Sequence, residues 1–199
     1  MLRRRVESVY RTMPVLETER LVMRKLEKSD AEDLYAFSHI PEVSQYLLWD
    51  IHPSLKYTKS YLHDLMKSYR DYLYFEWGVV EKKTGTLIGT CGFTAFDYSG
   101  NGGEIGYSFH PSFWGQGYAT EAARETIHFG FRTLGLSRIY AYFVLENQAS
   151  LKVLIHAGMT FRREVSPFII KGREMRVGLC DITREEYTSG VYAAAEKSG

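Results

Sequence analysis

Apolar residues along the chain alternate in several short runs and fall at helical spacing in a few longer ones. Leu21 to Arg24 alternates and predicts a first strand. Ser29-Asp30-Ala31-Glu32 has the form of a capping box, so a helix should start there and carry Leu34 and Phe37 inward until Ile40-Pro41 interrupts it. Between Ser54 and Leu73, the residues Leu62, Leu65, Met66, Tyr69 and Leu73 recur at helical intervals, the mark of an amphipathic helix with a core-facing stripe. Phe75, Trp77 and Val79 alternate as a strand, Lys83-Thr84-Gly85 reads as a hairpin turn, and Leu87 to Phe96 is the next strand. A turn from Asp97 to Gly103 leads to a third strand, Glu104 to Phe109.

That strand runs into a corner at His110-Pro111, then a turn punctuated by Gly115 and Gly117. A helix beginning near Thr120 places Ala119, Ala123, Ile127, Phe131 and Leu134 on one face, and Gly135 ends it. Arg138 to Val144 is β-rich. Asn147 caps a short helix that runs to Ala157 with Gly158 at its C′ position. Met159 to Glu164 and Met175 to Ile182 supply two closing strands. The order predicts one α/β domain with a mixed sheet. Residues 1–13 read as an N-terminal extension, with Met13 a second plausible start, 14–188 as the domain and 189–199 as a tail.

Composition narrows the class. At 199 residues and 45% hydrophobic content the chain can bury a full core. Net charge is +1 with the signs well mixed, and the Arg3-Arg4-Arg5 run is short, which argues against a nucleic-acid partner. No apolar run reaches the length of a membrane span, and residues 1–13 lack the apolar segment of a signal peptide, so no membrane partner is expected. Cys91 and Cys180 have no metal spacing and read as reduced thiols in a cytoplasmic protein, a monomer or homodimer. Six scattered histidines form no ligand pair, and no metal is expected.

The chemistry is concentrated in EIGYSFHPSFWGQGYATEAA, residues 104–123. A glycine-rich strand-to-helix turn leaves backbone N–H groups unpaired with a helix dipole behind them, which suits a phosphate. On the turn alone, a tight loop needing glycine only for its backbone angles fits equally well. A lysine-bearing phosphate loop and a dinucleotide fingerprint are both excluded, since Tyr118 follows Gly117 and Thr120 stands where a third glycine would.

The segment resembles motif A of the GNAT superfamily of acetyl-CoA-dependent N-acetyltransferases, (Q/R)-x-x-G-x-(G/A), here Trp114-Gly115-Gln116-Gly117-Tyr118-Ala119 with the first position altered. WGQGYATEA is similar to the form found in the RimJ/RimL-type branch, and the likeness runs from about Leu16 to Tyr187. Asn147 to Met159 resembles motif B of the same superfamily. The resemblance implies a single GNAT-like α/β domain: a mixed, mostly antiparallel central sheet flanked by helices, with two strands splayed apart to form an acetyl-CoA cleft. It implies that Gly115, Gln116, Gly117, Tyr118, Ala119 and Thr120, beside Trp114, hold the pyrophosphate. The backbone of Tyr107 to Phe109 pairs with the pantetheine, which Asn147 also bonds. Asn147 as a plain helix cap remains the competing reading.

The reaction implied is direct attack by a primary amine on acetyl-CoA in a ternary complex, the amine belonging to a protein N-terminus, such as that of a ribosomal protein, or to a small molecule. With amine pKa values of about 8 and 10.4, deprotonation at pH 7 costs about 1.4 kcal/mol for an α-amine and about 4.6 kcal/mol for lysine, so a base is needed. Glu104 is the candidate base, directly or through water, against an edge-strand surface charge. A tyrosine that many GNAT enzymes place seven residues after the asparagine is Leu154 here; RimJ/RimL-type sequences often carry a serine where Ser150 stands, so the resemblance makes Ser150 the candidate proton donor to the leaving thiolate, against a second helix-cap contact or a thiolate that leaves unassisted. His39 to Pro53, aromatic and irregular, reads either as an acceptor-site loop or as a packed connector. A non-catalytic acyl-CoA sensor or scaffold on the same fold is the alternative function.

Overall fold

The computed structural model describes residues 1–70 and 75–189. The expected position of Leu73 and, apart from Ser189, the expected tail lie outside them. In chain order the elements are α1 (Leu2–Tyr10), β1 (Leu16–Glu17), β2 (Leu21–Arg24), α2 (Ala31–Ser38), α3 (Pro41–Ser44), α4 (Leu55–Arg70), β3 (Phe75–Glu81), β4 (Leu87–Asp97), β5 (Gly102–Phe109), α5 (Tyr118–Arg132), β6 (Arg138–Val144), α6 (Gln148–His156), β7 (Thr160–Ile170), β8 (Arg173–Thr183) and α7 (Arg184–Ser189). Eight strands form one sheet in the order β1-β2-β3-β4-β5-β6-β8-β7, antiparallel throughout except for the parallel pair β5–β6. The expected α/β domain with a mixed, mostly antiparallel sheet is what forms.

Helices cover both faces. Trp77, Cys91 and Phe93 turn toward α5, where Trp77 meets Phe129 edge-on at 5.1 Å and Cys91 Sγ lies 3.4 Å from Thr126 Oγ1. The opposite face is covered by α2 and α4, whose Leu34, Phe37, Leu62 and Leu65 are buried. Burying these apolar stripes supplies the main driving force, at roughly 25 cal/mol per Å² of apolar surface.

Leu2, Val6 and Tyr10 recur one helical turn apart and, with Met13, are buried in the common core. The Arg3-Arg4-Arg5 run serves this packing, since Arg5 donates to the Leu134 carbonyl at 2.9 Å, just past the end of α5. The capping box sits two residues earlier than expected. Asp30 Oδ2 accepts from the Glu27 N–H at 2.7 Å, and the same carboxylate is bound by Arg24, so Ser29 caps nothing. Finally, α5 starts at Tyr118 rather than Thr120, because Gly117 itself adopts the left-handed conformation that begins the helix.

Candidate active site

The two parallel strands pair only at Gly102–Arg138, Gly103–Ile139 and Glu104–Tyr140. Beyond this fork β5 continues to Phe109 without a partner on that side, while β6 continues to Val144 against β8. His110 N–H donates to the Ile88 carbonyl on the β4 side at 2.8 Å, so strand alternation turns the backbone groups of Tyr107 and Phe109 toward the gap. The Trp114 indole donates to the Phe109 carbonyl at 2.7 Å. What remains facing the gap is the N–H and C=O of Tyr107 and the N–H of Phe109, a short edge with which an amide-bearing chain can pair.

A cavity of about 710 Å³ occupies the gap. Tyr107, Ser108 and Phe109 line it from β5, Ala141 and Tyr142 from β6, and Asn147 and Ser150 from α6. Across from them stand Glu42, Gln45, Tyr46 and Leu47, so part of the irregular His39–Pro53 stretch does reach the cleft. His52 does not; it is buried against Thr58, with Nδ1 to Oγ1 2.9 Å, and burial lowers its pKa.

One end of the cleft is the glycine turn. Gly115 and Gly117 have φ of 72° and 84°, which only glycine adopts without strain. The first helical bond of α5 runs from Glu121 N–H to the Gly117 carbonyl at 3.0 Å, so the N–H groups of Tyr118, Ala119 and Thr120 precede the ladder. A Cβ built on Gly115 meets nothing within 4 Å, so the turn is open on its outer side. Open amides at the positive end of a 15-residue helix suit a pyrophosphate.

Trp114, Gly115, Gly117, Ala119 and Thr120 line the cavity; Gln116 and Tyr118 do not. Gln116 turns its amide back to the Ser112 carbonyl at 2.7 Å, and the buried Tyr118 donates to Glu81. Their side chains hold the turn, leaving only their backbones for a ligand. Arg20 completes the brace: its Nε lies 2.6 Å from Glu121 Oε2, its Nη1 donates to the Gln116 carbonyl at 3.0 Å, and its guanidinium stacks 4.2 Å over the Tyr118 ring. Nothing in the local sequence around Arg20 marks this role, which depends on a contact between distant segments.

Asn147 caps α6, with Oδ1 accepting from Ser150 N–H at 3.1 Å, and it also lines the cavity. Both readings of this residue are therefore compatible, with Nδ2 left for a ligand. Ser150 Oγ lies 2.9 Å from the Tyr107 hydroxyl, which also donates to the Ser150 carbonyl at 3.1 Å. Burial raises the Tyr107 pKa, keeping the phenol protonated. Leu154 is 1% exposed and packs in the core, so no hydroxyl comes from that position; the nearby hydroxyl comes from β5 instead.

Glu104 sits at the last β5–β6 pair, half-buried, and does not line the cavity. Desolvation raises its pKa, partly offset by a hydrogen bond from Thr94. Among the described residues, no group of three or more His, Cys, Asp or Glu is arranged to hold a metal, and no helix is long and apolar enough to cross a membrane.

Residues 20–160 match the family model described as the acetyltransferase (GNAT) domain. The chain is 34% identical over 183 residues to the uncharacterized N-acetyltransferase p20 of Bacillus licheniformis, covering 88% of this chain and 99% of that protein. Its fold is similar to a GNAT-family acetyltransferase from Bacillus anthracis, with a TM-score of 0.77 at 24% identity, covering 86% of this chain and 99% of the other. A spermidine N-acetyltransferase from Vibrio cholerae, solved with CoA and spermine, has a TM-score of 0.71 at 21% identity, covering 85% and 99%. With its forked sheet and glycine turn, the chain belongs to the GNAT family and is an N-acetyltransferase.

Proposed function

We propose that the protein transfers acetyl from acetyl-CoA to a primary amine, by direct attack in a ternary complex, and that it is of the RimJ/RimL type. The observation that carries this reading is the continuity of the cleft. The unpaired edge of Tyr107 and Phe109 and the open amides at the start of α5 line the same cavity, a continuous surface that suits an amide-rich arm ending in a pyrophosphate. Acetyl-CoA, when bound, supplies a thioester as the acyl donor.

In this reading the amides from Gly115 to Thr120 hold the pyrophosphate, and the Tyr107 and Phe109 backbone with Asn147 Nδ2 orients the pantetheine. A strand N–H of the free edge faces the thioester carbonyl and stabilises charge developing on its oxygen. The hydroxyls of Ser150 and Tyr107, already paired, protonate the leaving thiolate. Glu104 acts as base through an intervening water, consistent with its place behind the fork rather than on the cavity wall. The acceptor amine enters past Glu42, Tyr46 and Tyr142 and belongs to a protein N-terminus or a small molecule. Cys91 and Cys180 are both free and buried, in keeping with a cytoplasmic enzyme.

Thiol release from acetyl-CoA, measured with a panel of peptides and small amines, tests the reading. Turnover on at least one amine is expected. Heat protection by acetyl-CoA without turnover on any of them would favour an acyl-CoA sensor instead, and no protection at all would sink both readings. Glu104→Gln is expected to lower kcat more than it changes the KM for acetyl-CoA; an unchanged kcat removes Glu104 from the mechanism.

A further inference from the structure

The hairpin of β7 and β8 reaches past the open end of the fork, and the proposed activity gives it no role. β8 pairs with β6 only from Arg138–Thr183 to Val144–Val177, whereas it stays paired with β7 as far as Ile170–Arg173. Because β8 runs antiparallel to β6, the overhanging residues lie beyond the end of β6 at which the cleft opens. The loop between Ile170 and Arg173 is Lys171-Gly172, with φ of 51° and 75°. Two positive φ values suit the twist of such a hairpin and favour asparagine, aspartate or glycine at both positions. A lysine at the first is not what the turn itself needs.

Its side chain has a use elsewhere. Lys171 Nζ donates to the Ser44 carbonyl at 2.8 Å and to Ser44 Oγ at 3.1 Å, across 127 positions of sequence. Asp50 Oδ1 stands 3.6 Å away on a side chain that is largely exposed, so the two bonds to Ser44 do most to hold the ammonium. Ser44 is 1% exposed and is the last residue of α3. The residues on either side of it, Glu42, Val43, Gln45, Tyr46 and Leu47, line the cleft. One ammonium therefore ties the tip of the hairpin to the segment that forms the opposite wall.

The β6 side of this opening is aromatic. Tyr142, which lines the cleft, has its ring 5.3 Å from Phe168 of the hairpin and 5.8 Å from Tyr140. On the α3 side, Glu42 is the one carboxylate among the residues that line the cleft. An ammonium entering between the two walls meets aromatic faces on one side and a negative charge on the other.

We propose that Lys171 is a positioning residue for the acceptor amine, an inference that rests on the acetyltransferase reading of the same cleft. By holding Ser44 it fixes how far α3 and the stretch from Gln45 to Leu47 stand from Tyr142, and so how closely the amine fits between them. Lys171 touches neither substrate and acts through α3. Without the tie, the acceptor's own binding must order this wall, which weakens its affinity, while an enzyme saturated with amine recovers the working geometry. Acetyl-CoA is held in the same reading by the glycine turn and the free edge of β5, elements that the tie does not reach.

The test is the initial rate of the full-length enzyme with acetyl-CoA and an amine that it turns over, each varied at a saturating level of the other. Lys171→Met keeps the stem and loses the donors. It should raise the KM for the amine about tenfold and leave kcat and the KM for acetyl-CoA within about twofold. Lys171→Arg, which can donate to the same carbonyl and hydroxyl, should recover most of the loss. Ser44→Ala removes one of the two acceptors and should cause a smaller rise, and adding it to Lys171→Met should raise the KM no further, since both act through one contact. An unchanged KM for the amine in Lys171→Met overturns the tie. So does an equal rise in both KM values, a Lys171→Arg no better than Lys171→Met, or a double variant whose losses add. A wild type without turnover on any amine would fail the underlying reading and the tie with it, whereas turnover indifferent to Lys171 fails the tie alone.

Discussion

At the scale of single residues, Glu76 on β3, half-buried on the face of the sheet opposite Trp77 and α5, bears on stability. Its folded pKa is raised from 4.5 to about 7 by desolvation. A raised acid is held protonated more tightly by the folded state than by the unfolded one. Below about pH 4.5 both states are protonated and the group contributes nothing. As pH climbs from there through 7 the unfolded chain ionises first, and the folded state loses stability until the deficit reaches about 3 kcal/mol, at roughly 1.4 kcal/mol per pH unit. Glu76→Gln keeps the shape and removes the charge. It should therefore unfold in urea at nearly the wild-type concentration at pH 4, and be more stable than wild type by up to about 3 kcal/mol at pH 8. A stability gap that does not change with pH would mean that the carboxyl is not desolvated. Residue-scale legibility in the sequence was uneven for a related reason. Asn147, Ser150 and the turn glycines carry short-range signatures. The alternation of Phe75, Trp77 and Val79 marks only the face away from Glu76, and says nothing of the α4 that covers the other one. Tyr107 was expected to contribute its backbone, and its phenol reaches Ser150 only because β5 and β6 part.

At the scale of elements, the glycine turn and α5 form one device. Gly117 is both the last residue of the turn and the residue that starts the helix, with φ of 84° and no side-chain cap. An alanine there would have to adopt the left-handed conformation, at about 1–2 kcal/mol. Its methyl would also lie 3.4 Å from Nη2 of Arg20, whose other terminal nitrogen, Nη1, donates to the Gln116 carbonyl. Gly117→Ala is thus expected to raise the KM for acetyl-CoA about tenfold while leaving kcat at saturation within about twofold, because the amides it displaces bind rather than react. Gly115→Ala shares the φ requirement but meets no neighbour, so its effect should be the smaller of the two. Steady-state kinetics of both variants decides this, and a fall in kcat without a change in KM would separate the turn from cofactor binding. Sequence patterns located these elements to within a few residues. They misplaced the capping box, because Ser29 and Glu32 fit the motif while Arg24, on β2, recruits Asp30 and draws the real cap to Glu27.

At the scale of the whole molecule, the first 13 residues decide whether the cleft stands on a complete core. Their role was not legible because three arginines and a second methionine dominate the local pattern, while the residues that matter, Leu2, Val6 and Tyr10, are spaced four apart and find their partners far along the chain. Tyr10 is 2% exposed, with its ring 4.8 Å from Phe75, 5.6 Å from Trp77 and 6.0 Å from Phe129. It thereby joins β3 to α5, the helix whose other end forms the turn. Removing so large a buried ring costs about 3–5 kcal/mol, which for a chain of this size lowers Tm by roughly 10 °C. Tyr10→Ala should show that loss in a thermal melt, and a chain begun at Met13, lacking Leu2 and Val6 as well, should lose more. Acetyl-CoA should protect Tyr10→Ala by about the same increment as the wild type, since a ligand's stabilisation depends on its affinity for the folded state and the turn itself is untouched. If the Met13 chain melted with the full-length protein, α1 would be an ornament on the core; a Tm shift shared by both variants makes it part of the domain that carries the site.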